Sequence, residues 1–371
     1  MSNAAANVRI ELLVYSGRGD ILALLFSHRK SATLIWETNM SAEAEIRQNA
    51  SVRMVLKTIR VAAICALLST ASVHAQPAPS ADHHQHLFSP AINKMLPSLN
   101  PITASDVVSL LDAAGIKRAV VLSVAYMFGS PNRTVENEYD KVKAENDWTS
   151  QQVARFPNRL IGFCSFNPLR EYALEELARC AKDRRLRAGL KLHFGNSVVD
   201  YHNPQHVERL RQVFHAANSY RMAIVVHMRA SISKKMAYGR EEARIFLNEI
   251  VSAAPDIPVQ IAHLAGAGGY TDPLVDEAVT VFTEAIANRK PHTNHLYFDV
   301  TAVALRDTSR EEAKLVATRI RQLGLKRILY GSDAATGGNL QPQQGWAAFT
   351  RLPLSEEEFR TIARNIPLYL R

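Results

Sequence analysis

Residues 82–88 read Asp-His-His-Gln-His-Leu-Phe and open a series of eight short apolar or β-branched runs. Each run is followed by a stretch with helical spacing, which is the pattern of parallel βα units. Eight such units in one chain predict an α/β protein, a (β/α)8 TIM barrel, with its active site at the C-terminal ends of the strands. A doubly wound open sheet is the alternative, but no G-x-G-x-x-G motif follows the first run.

The predicted strands begin at residue 82 and recur to residue 333. They are Asp82–Phe88, Arg118–Tyr126, Leu160–Leu169, Gly189–Phe194, Met222–Arg229, Pro258–Ala265, Leu296–Val303 and Arg327–Asp333. The predicted helices include Ser105–Ala114, Tyr172–Lys182, His206–Ser219, Glu241–Ala253, Thr271–Asn288, Arg310–Leu323, Gly345–Arg351 and Ser355–Arg364.

Side chains that suit a divalent metal follow the apolar runs of the first, fifth, sixth and eighth predicted strands. In strand 1, His84 and His86 are two residues apart and therefore point the same way, whereas His83 faces away from both. A single histidine at a strand end is often a core residue. Four histidines and one carboxylate at the same end of a barrel instead predict a catalytic metal site. The set is His84, His86, His227, His263 and Asp333.

These motifs resemble the amidohydrolase superfamily, in particular its amidohydrolase-related (amidohydrolase 2) branch of metal-dependent TIM-barrel hydrolases. The matching elements are D-x-H-x-H at Asp82–His86, His227, His263 and the Gly-Ser-Asp that ends at Asp333. The branch includes lactonases of the pyrone-dicarboxylate type and aminocarboxymuconate-semialdehyde decarboxylase. The resemblance extends from Asp82 to the C-terminus.

The resemblance implies one divalent metal ion, most often Zn²⁺, bound by His84, His86, His227 and Asp333. His263 would lie beside the reacting water or substrate oxygen. Asp333 would also accept and deliver the proton, which makes Asp333 and His263 the expected catalytic residues. Asp82 is expected behind the ligands as a supporting group.

Several polar residues near the other strand ends are candidates for substrate binding. In two-metal relatives a lysine on strand 4 is carboxylated and bridges the ions. Lys191 could do this, but the one-metal branch favours substrate or electrostatic work. Arg229 suits a carboxylate substrate, with a structural ion pair as the alternative of equal weight. The further candidates are His193, Tyr126 and Asn167.

The region before Asp82 has the features of a targeting segment. Residues 54–75 combine a basic start, a short apolar core and a Val-His-Ala cleavage site, which predict a secretory signal peptide. Residues 1–53 are then interpreted as an upstream over-extension, and residues 76–371 as the barrel domain. The expected location is the periplasm or the cell exterior. We also expect Cys164 and Cys180 to be buried separately, and the exported protein to contain no disulfide.

The charge composition bears on which partners the protein could bind. The chain of 371 residues carries a formal charge of +9, and three of these net charges fall within residues 1–75. We therefore expect no nucleic-acid partner. The apolar run within residues 54–75 is too short to span a bilayer, so we expect no membrane anchor in the mature chain. A homo-oligomer stays open. The partner is a small-molecule substrate.

Two reactions fit the pattern. The first is hydrolysis of a lactone, ester or amide, with a substrate that bears a carboxylate. The alternative is non-oxidative decarboxylation on the same scaffold, because one metal cage serves both reactions. A metal- or carbohydrate-binding protein without turnover fits the open barrel mouth less well.

Overall fold

The computed structural model describes residues 77–229, 235–336 and 338–370. The segments interpreted as an over-extension and a signal peptide lie outside the described residues. The eight strands are short and parallel. They are β1 (Ala81–Gln85), β2 (Arg118–Leu122), β3 (Leu160–Ser165), β4 (Gly189–His193), β5 (Ala223–His227), β6 (Val259–Ile261), β7 (Leu296–Asp299) and β8 (Ile328–Leu329).

The helices of the described chain alternate with these strands. They are α1 (Pro90–Met95), α2 (Ala104–Ala113), α3 (Glu138–Ala154), α4 (Ala173–Lys182), α5 (Phe194–Ser197), α6 (Pro204–Ser219), α7 (Arg240–Ile245), α8 (Pro273–Ala287), α9 (Arg310–Leu323), α10 (Pro342–Phe349) and α11 (Glu356–Arg364). Residues 246–253 continue α7 as a π turn and a 3₁₀ turn, so the predicted helix Glu241–Ala253 is present with a widened middle.

The strands pair in chain order from β1 to β8, each parallel to its neighbours. Two backbone hydrogen bonds bring the residues after β8 against β1: His83 N donates to Tyr330 O, and Asp333 N donates to His84 O, both at 2.8 Å. The sheet is therefore a nearly closed barrel, and the predicted (β/α)8 fold is confirmed. No helix in the described part of the chain is long and apolar enough to cross a bilayer.

Apolar side chains fill the barrel interior near the strand beginnings. Val120, Phe163 and Val225 pack there with Leu370, which comes from the C-terminal 3₁₀ turn Leu368–Leu370. Gly189 leaves the space that the Phe163 ring occupies, since a Cβ atom at Gly189 would lie 2.2 Å from that ring. A second, larger apolar cluster lies between the sheet and the surrounding helices.

The longest helix without a counterpart in the prediction is α3, and the short helices α1 and α5 are also new. Helix α3 follows β2 and buries polar residues on its inner face, among them Glu145 and Asn146. Asn146 exchanges hydrogen bonds with the backbone of Ser165 on β3, at 2.8 and 3.0 Å. Because the buried face is polar, the apolar spacing that reveals an amphipathic helix is weak in this segment.

The expectation of separate, unbridged cysteines is wrong. Cys164 on β3 and Cys180 on α4 form a disulfide, with their Cα atoms 6.1 Å apart. The physical reason is that α4 packs back onto the strand from which it departs, and both cysteines lie on the facing surfaces. Burial of two cysteines does not distinguish a pair from two single thiols when only the sequence is considered.

Candidate metal centre

One histidine of β1, His84, and one directly after it, His86, point into the barrel mouth, and each ring is held by a hydrogen bond from its Nδ1 atom. His84 Nδ1 donates to Asp299 Oδ2 at 3.1 Å, and His86 Nδ1 donates to Leu122 O at 2.7 Å. These contacts leave the Nε2 atom of each ring as an acceptor. Such an anchored imidazole is the usual form of a histidine that binds a metal.

The neighbouring His83 confirms the strand alternation. Its Nε2 atom contacts Asn365 O at 3.3 Å, and its ring lies edge-on to Tyr369 in the C-terminal segment. Burial lowers the pKa of His83 to about 4, although the carbonyl of Asn365 opposes this. His83 therefore belongs to the packing below the site.

Two residues that follow β6 and β8 complete the centre, and both have an unusual backbone conformation. His263 and Asp333 have φ values of 54° and 51°, in the left-handed region that non-glycine residues seldom adopt. Tertiary hydrogen bonds hold both: His263 N donates to Asp299 Oδ1 at 2.9 Å, and Asp333 N to His84 O. Ligand-type atoms of His84, His263 and Asp333 all lie within 4.8 Å of one another.

The Gly-Ser-Asp segment fits tightly against β1. A Cβ atom at Gly331 would lie 2.7 Å from the Cβ atom of His84 and 2.2 Å from the hydroxyl of Thr301, so only glycine allows this approach. Asp82 accepts hydrogen bonds from Gln85 Nε2, Ser332 Oγ and the His84 amide at 2.7–3.1 Å. Asp82 thus braces the backbone that carries His84 and Asp333, as expected for a supporting residue.

The remaining ligand-type histidines form a stack. The rings of His193 and His227 lie 4.1 Å apart and nearly parallel, and His227 is 5.1 Å from His263. His193 Nδ1 accepts a hydrogen bond from Asn196 N, while the Nδ1 atom of His227 is buried without a partner. A buried ring nitrogen without a partner is costly unless a further group binds there.

Lys191 of β4 is fully buried in the same centre. Its Nζ atom lies 3.1 Å from His84 Nε2, so the ammonium donates to the nitrogen that faces the barrel mouth. Burial lowers the pKa of Lys191 to about 8, against the charges of Asp299 and Asp333, which raise it. The lysine thus supplies a positive charge to the site near neutral pH.

Burial sets the protonation states of the cluster. It lowers the pKa of His86 to about 3 and that of His263 to about 4, so both rings are neutral with a free lone pair. Burial also lowers the pKa values of His193 and His227 well below their usual value. Neutral imidazoles are the form that binds metals.

Asp333 is held as a carboxylate. Burial alone would raise its pKa, but the nearby His86, His84 and His263 lower it below its usual value. One oxygen of Asp333 accepts from Thr336 Oγ1 at 2.7 Å and lies 3.8 Å from His86 Nε2. An ionised carboxylate amid neutral imidazoles is the donor set that Zn²⁺ and related divalent ions prefer.

The chemistry of these donors suits a divalent metal ion. The fit is supported by the unpartnered Nδ1 atom of His227 and by the anchored ring of His86, whose Nε2 atom accepts no hydrogen bond from a described residue. The structure brings His84 and Asp333 together with His263, with ligand-type atoms within 4.8 Å of one another. The fuller set, in which His86 and His227 also bind the ion and His263 lies beside it, stays a prediction.

The predicted substrate-binding residues are placed at different points of the rim. Strand β5 ends at His227, so Arg229 lies beyond it, paired with Asp272 at 2.9 Å and stacked 4.4 Å over the Tyr238 ring. The ion pair that was the alternative to substrate binding is therefore present, and the Nε and Nη1 atoms of Arg229 are buried without partners.

Tyr126 and Asn167 follow β2 and β3. The Tyr126 ring packs 5.0 Å from His193, and burial together with the charge of Asp333 raises the pKa of its hydroxyl. The amide of Asn167 is engaged with the backbone: it donates to Gly129 O at 2.7 Å and accepts from Leu169 N at 2.9 Å. Tyr126 therefore lies nearer the histidines, whereas Asn167 shapes a loop.

Asp299 is the site residue that the sequence analysis missed. It is fully buried and accepts hydrogen bonds from His84 Nδ1, Gln260 Nε2 and the amides of His263 and Thr301, at 2.7–3.2 Å. Burial would raise the pKa of Asp299, but His84 and the other donors lower it below its usual value. The signal was present, because Asp299 ends an apolar strand as His227 does.

The chain is similar to a known protein family. A family model described as amidohydrolase matches residues 81–365, which confirms the resemblance. A search of curated proteins found no match.

Solved structures share the fold. The 5-carboxyvanillate decarboxylase of Sphingomonas paucimobilis aligns with a TM-score of 0.54 and 15% identity, over 77% of this chain and 97% of that one. A probable 2-pyrone-4,6-dicarboxylic acid hydrolase of Acinetobacter baumannii aligns with a TM-score of 0.52 and 16% identity, over 76% of this chain and 96% of that one. A dihydroxybenzoic acid decarboxylase of Polaromonas, with bound manganese, aligns with a TM-score of 0.50 and 16% identity, over 78% of this chain and 95% of that one. At these identities the likeness shows the fold alone.

Proposed function

The chain belongs to the amidohydrolase family, and we propose that it is an enzyme that uses one divalent metal ion to hydrolyse a small, carboxylate-bearing lactone, ester or amide. The observation that carries the proposal is the convergence of ligand-type atoms from His84, His263 and Asp333 within 4.8 Å at the barrel mouth. The orphaned Nδ1 atom of His227 and the free Nε2 atom of His86 support a fuller ligand set.

When bound, the metal supplies Lewis acidity toward water and toward a substrate oxygen. The chain supplies the proton transfers. Asp333 is ionised in its pocket, so it accepts a proton from the attacking water and returns it to the leaving group. His263 is neutral, and its Nδ1 atom contacts Thr301 O at 2.9 Å, which leaves Nε2 to orient the water or the substrate carbonyl.

Positive charge in the mouth favours an anionic substrate. Lys191 brings a buried ammonium group next to His84, and the Nε and Nη1 atoms of Arg229 are unpaired. A carboxylate is the common small anion that both groups recognise. Tyr126 and His193 would line the same pocket.

Decarboxylation is the second candidate. The buried ammonium of Lys191 favours it, because a carboxylate held against the metal ligands is the group that such a reaction removes. The solved relatives include proteins described as decarboxylases and one described as a hydrolase. In this case Asp333 or His263 would first take up a proton from solvent water. It would then deliver that proton to the ring or ene carbon, which receives it in place of the carboxylate as the carbon–carbon bond breaks and CO₂ leaves.

We propose Zn²⁺ as the ion, since three imidazoles and one carboxylate are a common zinc donor set. A structural relative contains manganese, and the same donors accept Mn²⁺. Metal content of the protein as purified distinguishes the two.

We further propose export to the periplasm or beyond, on the signal-like residues 54–75. The Cys164–Cys180 disulfide supports this, because disulfides persist in oxidising compartments. Detection of the protein in the periplasmic or extracellular fraction tests it, and recovery only from the cytoplasm would overturn it.

The reaction is tested with a panel of carboxylated lactones and aromatic acids. Metal-loaded enzyme is assayed for acid release in a pH-stat and for CO₂ in parallel, with Asp333→Asn as the inactive control. Acid without CO₂ supports hydrolysis, and CO₂ supports the second candidate. Activity that Asp333→Asn retains in full would contradict both.

A further inference from the structure

The C-terminal turn closes the N-terminal end of the barrel. Leu370 is fully buried among the first residues of the strands, including Ala81 and Ala223. Arg118, at the start of β2, donates to Leu370 O at 2.5 Å. The Tyr369 ring packs edge-on against Phe163 at 5.3 Å. This segment is therefore a plug in the barrel, on the side opposite the metal centre.

A chain of hydrogen bonds runs from this plug to the metal centre. The Tyr369 hydroxyl donates to Gln260 Oε1 at 2.6 Å, and Gln260 Nε2 donates to Asp299 Oδ2 at 2.7 Å. The same Oδ2 atom accepts from His84 Nδ1 at 3.1 Å. Gln260, Asp299 and His84 are fully or almost fully buried, so water does not compete for these bonds.

The direction of each bond is determined by the chemistry of its partners. An ionised carboxylate only accepts, so Asp299 requires donors from both Gln260 and His84. The Gln260 amide therefore turns its nitrogen toward Asp299 and its oxygen toward Tyr369, whose hydroxyl donates to it. Gln260 Nε2 also contacts His83 O at 3.3 Å. Loss of the Tyr369 hydroxyl removes the donor to Gln260 Oε1, and with it one of the bonds that hold the amide in this orientation.

We infer that Tyr369 is a positioning residue, which orients the metal ligand His84 through Gln260 and Asp299. The inference rests on the proposed metal centre at His84. The consequence is that the last residues of the chain, below the barrel, contribute to metal affinity at its mouth. Tyr369 touches neither the metal ligands nor the substrate pocket.

The test is Tyr369→Phe in the full chain, which keeps the ring of the plug and removes only the hydroxyl. The Kd for Zn²⁺ alone is measured by competition with a chelating dye. The melting temperature of the metal-free protein is measured in parallel. Mutation of a group that touches a metal-binding histidine lowers metal affinity by about 10–100-fold. Tyr369 is more distant, so we expect Tyr369→Phe to bind Zn²⁺ about tenfold more weakly. Tyr220→Phe, at a tyrosine that is 47% exposed, is the matched control and should leave the Kd unchanged.

A double-mutant cycle separates positioning from simple loss of stability. Gln260→Met breaks the chain at its second member, so Tyr369→Phe added to it should weaken Zn²⁺ binding no further. Additive losses, or a lower melting temperature with an unchanged Kd, would overturn the inference while the metal centre stands. Failure of the unaltered protein to bind Zn²⁺ would instead overturn the proposed function, and the inference with it.

Discussion

The Nδ1 atom of His84 lies 3.1 Å from Oδ2 of Asp299, which ties a ligand-type histidine of the first strand to a carboxylate at the end of the seventh. Both side chains are buried. Since the carboxylate holds the Nδ1 proton, Nε2 is left to face the barrel mouth. The pair thus determines which nitrogen of His84 is available to a metal.

Asp299→Asn should weaken metal binding by about 10–100-fold, the range found for partners of metal-binding histidines. An asparagine keeps the size of the side chain, but its amide nitrogen cannot accept the bonds from His84 and Gln260. Titration with Zn²⁺ measures the loss, with circular dichroism as the folding check. Unchanged affinity in a folded variant would show that Asp299 does not orient His84.

Asp333→Asn should leave the barrel folded and reduce turnover by at least about 10²–10⁴-fold, the contribution of general acid–base catalysis. The amide occupies the same space but accepts no proton from water. Steady-state kinetics on the metal-loaded variant give the answer. Near-normal turnover with metal bound would refute the catalytic role of Asp333, even if the fold and the metal site are right.

The Cys164→Ala/Cys180→Ala variant should lose about 3 kcal/mol of unfolding free energy, as estimated for a cross-link that closes a loop of this length. The cysteines are 16 residues apart in sequence. Denaturant unfolding of the oxidised protein and of the double variant measures the difference. Free thiols at both positions in protein from an oxidising compartment would contradict the bridge.

Glu145 should make the protein less stable as the pH rises. Burial raises its pKa from 4.5 to about 7, against a hydrogen bond from Ser89 that lowers it. The folded protein then binds a proton that the unfolded chain releases, so this stability is complete below pH 4.5 and is lost as the pH rises through 7. Glu145→Gln should remove up to about 3 kcal/mol of this dependence.

The measurement is the unfolding free energy of both proteins at pH 4.5 and pH 8. Asp82, whose pKa burial raises to about 6, titrates in the same range in both proteins, so only the difference between them reports on Glu145. An identical pH dependence would show that folding does not raise the pKa of Glu145.

Strand beginnings could be read from the sequence, but strand ends could not. Each observed strand starts within one residue of its prediction, because β-branched runs are local signals. The observed strands end earlier than predicted, because residues such as His263 and Asp333 adopt left-handed backbone conformations and do not continue the strand. That conformation is held by hydrogen bonds to Asp299 and to the His84 carbonyl, which are far apart in sequence.

In the candidate site, the sequence likewise predicted some residues and not others. Ligand-type side chains at strand ends were visible one strand at a time, and the barrel brings them together. Their partners were less visible: Asp299 was overlooked at the end of β7, and Gln260 lies within an apolar run. The link to Tyr369 spans 109 residues from Gln260, so only the folded barrel reveals it.

The most direct test of the account is the metal content of the purified protein, by elemental analysis, for the unaltered chain and for two neighbouring variants. We expect about one divalent ion per chain in the unaltered protein and in His83→Ala, because His83 faces away from the centre. His84→Ala should contain almost none, because its Nε2 faces the centre. Equal metal content in His84→Ala and His83→Ala, or two ions per unaltered chain, would contradict a single metal centre at these residues.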